Sequence, residues 1–294
     1  MPFMSAPVDT PAPPASALRP ITGTGRTLQQ LWNHFQVEKS LGDQIRASRR
    51  EDRAALFARL YDELFAKVPD HPRLHRRESE AESQRSVQAR LGILKGLLSK
   101  DTVFMEIAPG DCRLACAVAA QVKDAYAADI SDQRAPGLVC PPNFHMTVFD
   151  GFHLDLPPAS VDVAFSYQFL EHLHPDDVAP HMELVARALK PGGVYVLDTP
   201  HSFSGPHDIS RYFTHTAQGF HMHEWTYREL AQLGRAHGFD RMSVFRFGQR
   251  WDTPLASVVT QGIEAVLGLL PANLRWRLSQ RPFGGVTVGL WRSR

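Results

Sequence analysis

Apolar positions along the chain switch between two periods, and the switches mark its elements. Phe57, Leu60, Tyr61, Leu64, Phe65 and Val68 recur at three- and four-residue steps, the spacing of one face of a helix. Pro69–Asp–His–Pro72 ends that helix, because neither proline can donate a backbone hydrogen bond. Val87, Leu91, Leu94 and Leu98 share a second helical face over residues 80–99. Beyond it, short apolar runs near 102–107, 125–130, 144–149, 161–166 and 193–198 read as buried strands. Helices fall between them: one at 111–123, where Leu114, Val118 and Val122 share a face, and one at 176–189 that stops at Lys190–Pro–Gly–Gly193. Thr226 and Glu229 form a capping box that opens another helix, and Gly238 closes it. A strand near 242–248 and an alternating run at 285–291 follow. Strands and helices taking turns in this way predict an α/β architecture with a doubly wound, mainly parallel, seven-stranded sheet.

Three regions lie outside that core. Residues 1–25, rich in Pro, Ala, Ser and Thr, predict a disordered tail. Residues 26–100 predict an N-terminal helical cap before the core at 101–294. An insertion at 252–283 separates the last two strands. Leu255, Val258, Val259, Ile263, Val266, Leu267 and Leu270 line one face of a helix there, and Arg275, Trp276, Arg277 and Arg281 follow. Such a stripe reads first as core or dimer packing, with a membrane-surface helix as the other reading.

Composition narrows the partners. The formal net charge is +1, so no global field favours nucleic acid, and neither RNA nor DNA is the expected substrate. Cys112, Cys116 and Cys140 are too few and too oddly placed for a disulfide framework or a zinc site, and Cys112 and Cys116 read as small core residues. No metal ion is expected. No basic region followed by an apolar run opens the chain, and no stretch approaches the length of a membrane span. A cytoplasmic protein is the expectation.

The chemistry concentrates at strand ends. Val103–Phe–Met–Glu–Ile–Ala–Pro–Gly–Asp–Cys112 reads as a strand, an acid, a glycine-bearing turn and a helix start. The second strand ends at Asp129, the third at Asp150, and Lys190–Pro–Gly–Gly193 precedes the fifth. In order and spacing these motifs, over residues 80–250, resemble the class I S-adenosylmethionine (SAM)-dependent methyltransferases of small-molecule type. The resemblance implies a Rossmann-like methyltransferase fold whose last strand runs antiparallel, and SAM as cofactor. It implies that Glu106 meets the methionine ammonium group, that Ala108 and Gly110 let main chain approach closely, and that Asp129, beside Ile130, bonds the ribose hydroxyls. Asp150 with Gly151 would accept from the adenine amino group, and Gln168 lies in the loop after the fourth strand. The usual acid-x-Gly-x-Gly-x-Gly loop is altered: Ala108 stands at the first glycine and Cys112 at the third. Alanine is tolerable there if its φ is negative. A dinucleotide-binding loop is disfavoured, because Asp111 would repel a pyrophosphate.

Five of the fourteen histidines fall between positions 201 and 223, in the connection where the family builds its acceptor pocket. His207 is the candidate general base, with Asp208 to orient it and Arg211 to hold an anionic group. His201 and His223 complete the candidate acceptor contacts. The expected reaction is methyl transfer to a small-molecule acceptor, most simply at oxygen. Two alternatives stand beside it: a non-catalytic SAM-binding regulator or partner, and a lipid methyltransferase docking through residues 255–270. A homodimer and peripheral membrane contact both stay open.

Overall fold

The computed structural model describes residues 12–75, 79–246 and 249–294. The chain divides into two compact units, Met1–Arg77 with Gly205–Met222, and Glu78–Ser204 with His223–Arg294.

In the first unit, α1 (Leu28–Ala47) opens on a capping box: Thr27 accepts from the Gln30 N–H while the Gln30 side chain accepts from the Thr27 N–H. This helix lies outside the stripes read from the sequence. α2 (Arg50–Lys67) and α3 (Pro72–His75) follow. Leu60, Leu64 and Val68 of the expected stripe are buried with Leu41, Ile45, Leu56 and Phe220, whereas Tyr61 reaches the surface. A buried polar chain runs beside them. Asp70 accepts from Arg26 Nε (2.7 Å), and Arg26 donates to His34 Nδ1 (2.9 Å). His34 Nε2 meets Glu38 (2.9 Å), which also accepts from the Phe220 N–H (3.1 Å). A guanidinium can only donate, so the neutral His34 ring carries its proton on Nε2 and donates it to Glu38. Burial would raise the Glu38 carboxyl, but the His34 hydrogen bond and the Phe220 N–H outweigh it and hold the group below its ordinary value. The disordered tail expected over 1–25 lies outside the described residues as far as residue 11. Beyond that point Leu18 donates its N–H to Tyr212 O (2.7 Å), and Arg19 is buried.

The second unit holds the sheet. After α4 (Glu80–Leu94) come β1 (Val103–Ile107), α5 (Arg113–Ala119), β2 (Asp124–Asp129), β3 (Phe144–Val148) and β4 (Val161–Tyr167). α6 (Pro175–Ala188), β5 (Leu189–Thr199), α7 (Tyr227–Ala236), β6 (Phe239–Arg246) and β7 (Gln249–Trp251) follow, then α8 (Pro254–Gly268), α9 (Ala272–Ser279) and β8 (Val286–Arg292). The strand order is β3-β2-β1-β4-β5-β8-β6-β7, with β1 to β5 parallel and β8 antiparallel to both β5 and β6. The sheet therefore has eight strands, not the seven expected. The added β7 folds back on β6 over three residue pairs, too few to show alternation in the sequence. The two faces have separate cores. Phe104, Val163, Phe165 and Val196 pack with Leu114 and Val118 of α5, while Met105, Ala164, Tyr195 and Leu197 pack with α6 and α7.

Two readings of the sequence change here. Cys116 and Cys140 form a disulfide, so Cys116 is not a free core thiol; it ties α5 to the loop before β3. Cys112 stays free and buried. The α8 stripe is not core: within the chain α8 turns Ser257, Thr260, Glu264 and Leu267 inward, while Leu255, Val258, Val259, Ile263 and Val266 are exposed. Among the described residues no helix is long and apolar enough to cross a membrane.

Candidate active site

Strand order reverses between β1 and β4, which pair through Glu106 and Phe165, so a crevice opens beyond their carboxyl ends. Glu106 is 1% exposed, and its Oε2 has no hydrogen-bond partner. Burial pushes its carboxyl up to about 8, against the pull of the Arg90 charge and of the Ala115 N–H bonded to it.

The turn after β1 keeps a glycine-type backbone without the glycines. Ala108 has φ +52°, Gly110 +56° and Cys112 +60°, all left-handed. The negative φ expected for Ala108 is not what the fold adopts. Its N–H donates to Ala128 O (2.9 Å), pinning the turn to the end of β2 in a conformation that costs a non-glycine residue about 1–2 kcal/mol. Cys112 caps α5 and is buried, as a small residue at that helix start requires. A Cβ built on Gly110 would meet nothing within 4 Å, so main chain there faces open space. A buried carboxyl with one bare oxygen beside open main chain fits the methionine end of SAM.

Asp129 closes β2 with its Oδ1 accepting from the N–H groups of Ile130 (2.7 Å) and Ser131 (3.4 Å). Burial raises its carboxyl, and the N–H groups of Ile130, Ser131 and Gly110 temper the shift. The same aspartate thus braces the loop carrying Gly110. Asp150 turns to its own loop: its oxygens accept from the N–H groups of Phe152 (2.8 Å) and His153 (2.6 Å) and meet His153 Nδ1 (2.6 Å). The His153 bond holds this carboxyl well below the usual range. Gly151 has φ +90°, and the Ile130 side chain lies 3.8 Å from where its Cβ would stand, so Ile130 flanks the Asp150 loop. Gln168, also left-handed (φ +51°), donates from its main chain to Asp198 O and from its side chain to Asp198 Oδ1, each at 2.8 Å.

Three features escaped the sequence. Arg90 on α4 lies over the Tyr167 ring (5.4 Å) and projects its charge onto Glu106. Asp198 anchors Gln168. A buried chain joins His181 Nε2, Tyr195 OH and Ser166 Oγ (2.9 and 2.7 Å) at the end of β4, and burial lowers His181 to about 4, so its ring is neutral. An arginine on an amphipathic helix and a tyrosine in a strand are too common to have stood out.

The acceptor candidates fall in both units. His207, Asp208 and Arg211 lie in the first, where Asp208 accepts from the N–H groups of Ser210 (2.9 Å) and Gly219 (3.0 Å), and the Arg211 guanidinium lies over the Tyr212 ring. His201 and His223 lie in the second. His201 is fully buried, with Nε2 on Glu264 (2.7 Å) and Nδ1 accepting from the Phe203 N–H (3.0 Å). Both its nitrogens are engaged, so neither can meet an acceptor in this conformation. His223 is exposed: Nε2 meets Glu229 (3.2 Å), its ring sits edge-on to Trp225, and its N–H donates to Glu171 O just after β4.

Residues 105–197 match a family model described as a methyltransferase domain. A curated protein of Mycolicibacterium smegmatis, described as a probable S-adenosylmethionine-dependent methyltransferase, is 37% identical over 97 residues, which span 31% of this chain and 35% of that protein. The chain thus aligns with about a third of that relative's length. Phosphoethanolamine N-methyltransferase 1 of Haemonchus contortus, solved with phosphoethanolamine and S-adenosylhomocysteine, superposes with a TM-score of 0.52 at 13% identity, covering 84% of this chain and 50% of that one. Geranyl diphosphate C-methyltransferase of Streptomyces coelicolor gives 0.48 at 14% identity, covering 80% and 84%. At 13% identity the likeness to the Haemonchus contortus enzyme is one of fold.

Proposed function

From a class I SAM-dependent methyltransferase domain at its centre, we propose that the protein transfers a methyl group from SAM to a small-molecule acceptor at oxygen. The observation that carries this reading is the bare Oε2 of the buried Glu106 carboxyl at the β1–β4 crevice, one strand from Asp129. A buried carboxyl with one oxygen left bare is costly to keep in a fold, and a bound cation repays that cost. SAM supplies a sulfonium-activated methyl group, and the protein's part is alignment, exclusion of water and proton removal.

Glu106 would hold the ammonium group, Gly110 and Ala108 would offer main chain, and Asp129 would take the ribose diol. Ile130, Asp150, Gly151 and Gln168 would border the adenine and the loop after β4. For the proton of an oxygen acceptor, His223 has a base-like arrangement: Glu229 occupies one ring nitrogen and leaves the other to accept. His207, with Asp208 and Arg211, is the competing base of the first unit. His201 would act only through the packing it shares with Glu264.

The test is calorimetric titration of SAM and S-adenosylhomocysteine into wild type and Asp129→Ala. Losing the charge-assisted pair of ribose bonds is expected to weaken binding by about 1.5–3 kcal/mol, roughly ten- to a hundred-fold. Absence of binding to the wild type sinks the reading. With turnover assayed as S-adenosylhomocysteine release in a metabolite extract, replacing the true base, His223 or His207, by alanine lowers kcat by about 10²–10⁴.

A further inference from the structure

Helix α8 is built inside out. Its inward residues are Ser257, Thr260 and Glu264, with Leu267 the only large apolar one. Leu255, Val258, Val259, Ile263, Val266 and Leu269 face outward, Leu269 at 85% exposure, and Leu274 and Leu278 of α9 are exposed as well. A surface helix normally does the reverse, because apolar area left in water forfeits the free energy of burial. An apolar face of this length calls for a second apolar phase.

The charge around the face says which one. From Thr253 to Arg294 the chain has five arginines and a single carboxylate, Glu264. That carboxylate is buried and accepts from the N–H groups of Tyr227 and Arg228 and from His201, so the segment presents cationic charge alone. Arg277 and Arg281 are exposed, and the half-buried Arg275 lies over the Phe203 ring. A groove of about 840 Å³ adjoins the stripe through Val258 and Pro254, lined by Arg235, Arg241, Arg292 and Arg294 with one acid, Asp240. An isologous pairing of two such faces would bring arginines toward arginines. Anionic headgroups would meet them with opposite charge.

We propose that the outer face of α8 and α9 is a docking surface for an anionic phospholipid bilayer. The stripe of α8, about 22 Å long at helical rise, lies in the plane of the membrane with its side chains at the acyl boundary. The arginines of α9 and of the groove stand at the level of the phosphates. This proposal is independent of the acceptor, and none of its residues belongs to the β1–β2 strand ends.

The test is co-sedimentation of the full chain with phosphatidylcholine vesicles, with and without phosphatidylglycerol, at low and high salt. Binding is expected to the mixed vesicles only and to fall as salt rises. Val259→Glu with Ile263→Glu abolishes it, and Arg277→Glu with Arg281→Glu weakens it roughly fivefold or more per arginine. Both pairs are exposed, so circular dichroism and SAM titration remain as in wild type. The proposal is overturned by absence of binding to mixed vesicles, or by binding that ignores the substitutions. A dimer in sedimentation velocity that Val259→Glu with Ile263→Glu dissolves, without vesicle binding, gives the face to a second copy and overturns it equally.

Discussion

Glu106 and Glu264 are both buried carboxyls of the sheet unit, 1% and 3% exposed, yet they are treated in opposite ways. Glu264 receives three donors: the His201 ring and the first N–H groups of α7, Tyr227 and Arg228. It sits where the helix dipole is positive and ties the insertion to the sheet. Glu106 has a bare oxygen and no cation in bonding contact. A buried acid that the fold surrounds with donors is a structural part. One that the fold leaves with a bare oxygen is kept for something that arrives from outside.

The largest effect expected from breaking this contrast is at Glu264. Glu264→Ala strands a buried imidazole and two helix N–H groups, so urea unfolding should show a loss of about 3–5 kcal/mol. A loss below 1 kcal/mol would mean that the insertion is held by other contacts. Glu106→Gln should act on binding instead, weakening SAM by about 1.5–3 kcal/mol while leaving the unfolding midpoint at pH 7 equal to or above that of wild type.

The pH dependence sharpens the same point. With the folded Glu106 carboxyl pushed up to about 8 from an ordinary 4.5, the unfolded chain gives up this proton first as pH rises. The folded state then holds the extra proton, so this group's contribution to stability falls across the window from 4.5 to 8. Urea midpoints at pH 5, 6.5 and 8 should show that fall in wild type, and it should flatten in Glu106→Gln. Equal slopes in both proteins would place the proton elsewhere. The smallest effect belongs to α8: Ile263→Ser should change folding stability by less than about 0.5 kcal/mol, because the side chain already faces water. A larger loss would mean that its face is covered.

Much of the sheet was legible because buried parallel strands are continuous apolar runs and their helices keep a three- to four-residue period. Glu106, Asp129 and Asp150 could be placed at strand ends for that reason alone. The role left to each could not. Asp150 is claimed by His153, Gln168 by Asp198, and His201 by Glu264, partners 3, 30 and 63 residues away. The conformation of Ala108 was equally hidden, because a neighbour's carbonyl and the needs of the turn set its φ.

By itself the sequence determined the alternation of elements, the acids at the strand ends and the presence of an apolar stripe on α8, all of which follow from local periodicity and side-chain chemistry. Only the tertiary structure decided that an eighth strand closes the edge, that Cys116 finds Cys140, that one buried glutamate is satisfied and the other keeps a bare oxygen, and that α8 turns its apolar side outward. Each of these depends on which distant groups meet. Helical and strand periods say which residues share a face, but the free energy of burying that face is settled by the partner the fold brings to it.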